Sequence, residues 1–269
     1  MPPFTLLPGT PSDLDEMVLV WIKAMDRDPY WKTWMGAMTD SQIFEWLRGN
    51  LRYRIVTGVE LGVMQTWKMV DETNGKIVAW AGLSLPWPEN LTDEERASLT
   101  SSWLPSEGGN KSSRDWYVDN VSPMVGAGGY DRSKHCRKSN LDFQFSKRST
   151  SPTPNPAPAN TPFSPPPVRQ GSMVLPTYQR QGLMTVLSEK CNSIADAYGV
   201  PTYANARPGA ARMFYNQGFE VCSVRDAELG QFDEGLRGKG ELANGETRFW
   251  AMRREVGAKG ERRILKWEI

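Results

Sequence analysis

The stretch Met173-Val174-Leu175-Pro176-Thr177-Tyr178-Gln179-Arg180-Gln181-Gly182-Leu183 runs an apolar strand end into a proline, a polar turn with one glycine, and a helix start. Such a junction leaves several backbone N–H groups without an intrachain carbonyl, and it places them at the positive end of a helix dipole. Diphosphates bind that arrangement. Its candidate ligands are the backbone from Gln179 to Met184, with the Arg180 side chain able to add charge. A second block, Ala211-Arg212-Met213-Phe214-Tyr215-Asn216-Gln217-Gly218-Phe219, presents a tyrosine near a helix end. Gly218 supplies the left-handed stop, and Phe219 opens the next strand.

Secondary-structure signals flank these blocks on both sides. Phe4 to Leu7 reads as a strand, and Thr10-Pro11-Ser12-Asp13 as a helix start with a capping-box acid. Leu14, Met17, Val18, Trp21, Ile22 and Met25 recur at helical spacing. A second helix is predicted from Thr39 or Asp40 toward Gly58, and an aromatic loop containing Tyr30, Trp31 and Trp34 separates the two. Val63 to Val70 and Lys76 to Leu83 form a predicted hairpin, with Asn74-Gly75 as two positive-φ turn residues. Residues 106 to 139 are polar and glycine-rich and receive no assignment. Downstream, a helix is predicted over 182–198, a strand over 202–206, a helix over 208–217, and strands over 219–224 and 248–253. No repeat is present.

With 32 basic and 31 acidic residues the chain carries no field that would hold nucleic acid or an anionic membrane. Its early apolar run, Met17 to Ile22, is far shorter than the ~20 residues of a membrane span. We therefore expect a soluble, cytoplasmic protein, with a nuclear one also compatible. Cys136, Cys191 and Cys222 are widely spaced and odd in number, which suggests free thiols and no metal cluster.

At this point the chain resembles the GNAT superfamily of acyl-CoA N-acyltransferases. Val174, Pro176, Tyr178, Gln179 and Gly182 match that family's V-x-P-x-Y-Q-x-x-G-x-G/A motif, and Tyr215, Gly218 and Phe219 approximate its Y-x-x-x-G-F block with one fewer residue. Met184 replaces the motif's last small residue, and Pro208 stands where many members have asparagine. The resemblance implies an α/β (α+β) fold: one mixed, mostly antiparallel twisted sheet flanked by helices, over 1–256, with a basic tail at 257–269. It implies transfer of an acetyl group from acetyl-CoA to a primary amine of a small molecule within a ternary complex. A CoA-binding regulatory module and a protein or peptide N-acetyltransferase are the other readings. The implied cofactor contacts are Val174, Leu175, Gln179, Arg180, Gln181, Gly182, Leu183 and Met184. A backbone N–H near Val174 or Leu175 would hold the oxyanion, and Tyr215 would protonate the leaving thiolate. Asp142 is a candidate base, His135 a weaker one, and Tyr30, Trp31 and Trp34 would border the acceptor. The two strands expected to splay around the cofactor do so near Val174 and Thr202.

The segment from Phe145 to Gln170 is dominated by serine, threonine, proline and asparagine, a composition that cannot bury enough apolar area to order itself. In the resembled family the central strand reads L-D-x-L-x-V-x-P. Here Leu141-Asp142-Phe143 supplies its beginning and Ser172-Met173-Val174-Leu175-Pro176 its end. We read residues 144–171 as a disordered insertion, either a small intron translated in frame or a loop set between two half-strands.

Overall fold

The structure, a computed structural model, describes residues 3–95, 109–121 and 168–260. The expectations for His135, Cys136, Asp142 and residues 144–167 lie outside that range. Strand β1 (Phe4–Pro8) pairs antiparallel with β2 (Met64–Asp71), β2 with β3 (Lys76–Ser84), and β3 with β4 (Arg169–Val174). A second antiparallel set runs β5 (Thr202–Ala206), β7 (Glu246–Arg254), β6 (Phe219–Glu228). One parallel bridge, Val168 to Tyr203, joins the two sets. The layer is thus mixed and mostly antiparallel, as the motif order implies, and it is open along the β4/β5 line beyond that bridge.

Helix α1 (Leu14–Met25) and helix α3 (Asp40–Arg52) cover one face. Met17, Val18, Trp21, Leu47 and Leu51 bury themselves there against Ile77 and Trp80. Thr39 caps α3 by accepting from Gln42 N–H, and Gln42 returns the bond to Thr39 N–H at 2.8 Å. That reciprocal pair satisfies two donors that would otherwise be orphaned. Helix α5 (Leu183–Ala197) covers the other face, where Leu183, Leu187 and Cys191 pack on Ala79 and Ala81. Strand β3 is apolar along nearly its whole length because it is buried on both sides. Helix α6 (Pro208–Asn216) packs on the β5/β7 pair through Phe214.

The structure differs from the sequence reading at several points. The aromatic loop is a helix, α2 (Pro29–Met35), capped by Asp28, which accepts from Trp31 N–H at 2.9 Å. The hairpin turn spans 72–75, since Asp71 pairs with Lys76; only Gly75 has positive φ (+70°), and Asn74 does not. Asp71 C=O accepts from Gly75 N–H at 2.8 Å, so the turn is a longer loop than a two-residue one. The unassigned region contains helix α4 (Lys111–Asn120), started by Asn110 accepting from Ser113 N–H. The last residues of the expected insertion, 169–171, belong to β4, where Arg169 pairs with Leu83 of β3. Of the basic tail, Gly257 is tied down: its N–H donates to Asp196 at 2.8 Å.

Candidate functional site

The site begins with an irregularity in β4. Ala81 pairs with Ser172 and Leu83 with Arg169, so Gln170 and Gly171 together oppose Gly82. Two residues against one is a β-bulge, which bends the strand and increases its twist. Gly171 makes it possible with a φ of +135°, and Trp80 packs close against its α-carbon. Among the described residues a single bridge, Val168 to Tyr203, joins β4 to β5, and it forms the closed end of a seam.

Past the bulge, Leu175 N–H donates to Val78 C=O at 2.9 Å. In an antiparallel ladder alternate residues point their N–H to opposite sides. Val174 and Ser172 therefore aim theirs away from β3 and into the seam. Of the two oxyanion donors expected from sequence, Val174 is the one on the open side, and Leu175 is spent on β3. Val174 C=O, facing the same way, accepts from the Gln179 side chain at 3.3 Å. Strand β5 ends at Ala206, so Val174 stands level with the first turn of α6. Thr202 lies at the closed end, next to the Val168–Tyr203 bridge.

At its upper end the seam meets the turn between β4 and α5. Residues Pro176–Tyr178 form a short 3-10 turn. Arg180 then adopts a φ of +63° and Gly182 of +81°. Left-handed conformations at near-alternate residues converge backbone N–H groups into a nest for an anion. The nest opens directly onto the α5 N-terminus, where Gly182 is the cap and a Cβ there would meet nothing within 4 Å. A non-glycine residue in this conformation costs roughly 1 kcal/mol, so Arg180 is held in place by its surroundings. Tyr178 does much of that holding: its hydroxyl donates to Asp71 at 2.9 Å, and its ring meets Phe4 edge-on at 6.1 Å. Met184 packs half-buried with Leu183 and Leu187 on the sheet, and so lies inside the fold instead of over the nest. Pro208 is the first residue of α6, a position where a missing N–H costs nothing.

Side-chain alternation along β5 sorts the remaining candidates. Ala204 and Ala206 face α6, and Tyr215 lies half-buried in that cluster with Phe214 and Phe219. Tyr203 faces the opposite side, where Tyr30 and Trp34 are buried with Phe249 and Leu229. Trp31 stacks on Trp21 at 6.2 Å. Tyr30 donates to Ser113 C=O at 2.6 Å, and burial pushes its hydroxyl well above the usual tyrosine range. Tyr30 and Trp34 are core residues, and their ring neighbours Trp116 and Tyr117 come from α4.

Three arginines were not singled out in the sequence. Arg207, between β5 and α6, donates to Asp28 at 2.8 and 3.1 Å, to Glu241 at 2.7 Å, to Thr247 at 2.6 Å and to Arg248 C=O at 2.8 Å. Its guanidinium also lies 4.3 Å from the Phe249 ring. It ties the start of α2 to the loop before β7. Arg54, in a π-helical turn after α3, donates to Gln170 C=O at the bulge. Burial pulls it down to about 10. Arg169 is buried at the closed end of the seam, 3.2 Å from Ser172 Oγ, and burial lowers its pKa as well. The signal for Arg207 was its place between a strand and a helix-opening proline. Arg54 and Arg169 left none, because a buried arginine reads like a surface one.

Among the described residues no group of three or more His, Cys, Asp or Glu could hold a metal ion, and no helix is long and apolar enough to cross a membrane.

No protein-family model matches the sequence, and no curated protein matches it. Solved structures similar to this chain include a histone acetyltransferase HPA2 and related acetyltransferase from Corynebacterium glutamicum, at 16% identity over 94% of this chain and 96% of that one, with a TM-score of 0.47. The ribosomal-protein-S18-alanine N-acetyltransferase from Escherichia coli is 13% identical over 98% of this chain and 100% of its own, with a TM-score of 0.45. The PaiA N-acetyltransferase from Thermoplasma acidophilum, in complex with coenzyme A, is 10% identical over 94% and 99%, with a TM-score of 0.43.

Proposed function

We propose that this chain is a GNAT-type N-acetyltransferase that uses acetyl-CoA to acetylate a primary amine, in a ternary complex, with a small molecule as the acceptor. The observation that carries the reading is the continuity of the seam with the nest. A sheet opened by a bulge leads, without interruption, to a turn of unsatisfied N–H groups at a helix start. A pantetheine arm needs such a slot, and a diphosphate needs such a turn.

Acetyl-CoA supplies the activated thioester, and the chain's own groups do the rest. The backbone from Gln179 to Met184 receives the diphosphate, and the Arg180 side chain adds charge from outside. Val174 N–H, fixed by the β3 ladder on either side of it, takes the negative charge that develops on the acyl oxygen. A donor held in advance costs no reorganisation when the charge appears. Tyr215, on the α6 face, gives its hydroxyl proton to the leaving sulfur. The amine enters from the opposite face, past Trp31 and the wall of Tyr30 and Trp34, so nucleophile and cofactor approach the seam from two sides. Asp142 is proposed as its base.

The test is equilibrium binding of acetyl-CoA together with thiol release over a panel of small amines, polyamines and peptide N-termini. Binding with acetyl-CoA-dependent thiol release on a small amine is the expected result. Release only on peptides would move the acceptor to the protein class. Failure to bind acetyl-CoA would overturn the reading. Tight binding without release on any acceptor would favour a regulatory CoA-binding module.

A further inference from the structure

We propose that Asp71 and Tyr178 are positioning residues for the diphosphate turn, acting through the turn and not touching the cofactor; this rests on the acetyl-CoA reading above. Asp71 closes the β2–β3 hairpin on the outer part of the sheet, far along the chain from the nest. Its carboxylate is buried and takes four donors: Thr73 N–H at 2.9 Å, Thr73 Oγ1 at 2.6 Å, Asn74 Nδ2 at 3.0 Å and Tyr178 hydroxyl at 2.9 Å. The first three fold the hairpin turn around the carboxylate. The fourth reaches out of the hairpin to the 3-10 turn that precedes the nest.

The geometry explains why such a tether is required. After Tyr178 the chain extends at Gln179 and must then place Arg180 in the left-handed region, which a non-glycine residue does not choose by itself. Among the described residues the side-chain hydrogen bonds of the turn are Tyr178 to Asp71, Gln179 to Val174 C=O, and Gln181 to Thr177 C=O within the turn itself. Gln179 is exposed, and its bond is long at 3.3 Å. Tyr178 carries the stronger bond, since its acceptor is a carboxylate whose other contacts are already fixed. Thr73 and its neighbours hold Asp71 well below the usual carboxylate range, so the acceptor is ionised throughout the neutral range. Removing the hydroxyl releases the turn while leaving the ring on Phe4, and the nest is then sampled among other conformations. A ligand that needs the nest binds more weakly by the fraction of time it is formed.

The experiment measures acetyl-CoA and acetyl-pantetheine, which lacks the diphosphate, by titration calorimetry on the full chain. Tyr178→Phe should weaken acetyl-CoA about tenfold, equivalent to roughly 1.4 kcal/mol, and leave acetyl-pantetheine unchanged. Asp71→Asn should do the same, and the double variant should be no worse than either single one, since both remove one contact. Thr73→Val, which deletes a donor to the other carboxylate oxygen, should bind acetyl-CoA like the parent. The proposal is overturned if Tyr178→Phe binds acetyl-CoA unchanged, or if it loses acetyl-pantetheine in equal measure, as a merely structural role would. If Asp71→Asn does not fold, Tyr178→Phe decides alone. A parent chain that fails to bind acetyl-CoA overturns the functional reading instead, and is told apart by occurring before any substitution.

Discussion

Replacing Gly171 by alanine tests the bulge on which the seam depends. An added Cβ would lie 2.7 Å from two ring carbons of Trp80. Trp80 cannot retreat: it is fully buried, its indole N–H donates to Met17 C=O at 3.0 Å, and its ring meets Trp21 at 5.4 Å. Overpacking of this kind costs about 1–3 kcal/mol. The φ of +135° lies where L residues are strained, which adds a further cost of about 1–3 kcal/mol. The sum centres near 4 kcal/mol, and for a domain of this size each kcal/mol lowers Tm by roughly 2–4 °C. Gly182→Ala is the control: its φ is +81° but its Cβ meets nothing, so it should cost only the conformational share, about 1–2 kcal/mol. Thermal unfolding followed by circular dichroism compares the two, with urea titration to confirm the ranking. A Gly171→Ala chain as stable as Gly182→Ala would refute the bulge register and the direction of the Val174 N–H with it.

Tyr215→Phe should lower kcat by roughly 10²- to 10⁴-fold with acetyl-CoA binding unchanged; an unchanged kcat with chemistry rate-limiting would remove Tyr215 from the mechanism. Gly182→Val should nearly abolish acetyl-CoA binding, and Arg180→Ala should weaken it modestly, because backbone donors supply most of the nest; equal, small losses from both would place the diphosphate elsewhere. Arg254 grips Asp196 at 2.7 and 2.9 Å and holds its carboxyl below the usual range. A depressed folded pKa contributes stability that is complete above about pH 4, the unfolded value, and is lost as pH falls through the folded one. Urea midpoints at pH 6 and pH 3 should differ more for the parent chain than for Asp196→Asn, and identical slopes would count against the pairing.

What could be read from the sequence was whatever local chemistry decides. Thr39 and Gln42 form their capping box wherever the chain goes, and Gly182 and Gly218 adopt positive φ as their neighbours require. The Asn74-Gly75 pair misled because Asp71 lies three residues before it. A carboxylate that collects Thr73 and Asn74 favours a longer turn, with only the glycine left-handed. Helix α4 was missed since only Ser113 in it is fully buried and its aromatic pair, Trp116 and Tyr117, is adjacent instead of helically spaced. Asn110 as its cap was the available signal. Tyr30 and Trp34 looked like a pocket rim because nothing local announces that α4 and β7 will cover them. Strand β4 starts earlier than expected for a related reason. Arg169-Gln170-Gly171 carries no apolar pattern, and it is a strand because β3 offers a ladder beside it. The nest was legible as a motif, but the Arg207 clamp and the Tyr178–Asp71 tether join segments far apart in the chain, and no window contains them.

The bridge between Val168 and Tyr203 has a consequence for handling the protein. Every open sheet has two outer edges, and among the described residues the seam adds two more, along β4 and β5, in the middle of the layer. Exposed strand edges are templates for pairing with other chains. Outer edges are commonly protected by charge, and β6 follows that rule with Glu220, Arg225 and Asp226. On the proposed acetyl-CoA reading the seam cannot be protected in the same way, because the Val174 N–H must stay available to an occupant. On that reading the chain without its cofactor would be the form most prone to aggregate, and acetyl-CoA lying in the seam would act as a substitute strand. Refolding and storage with an occupant of the seam follow directly from where the sheet is open.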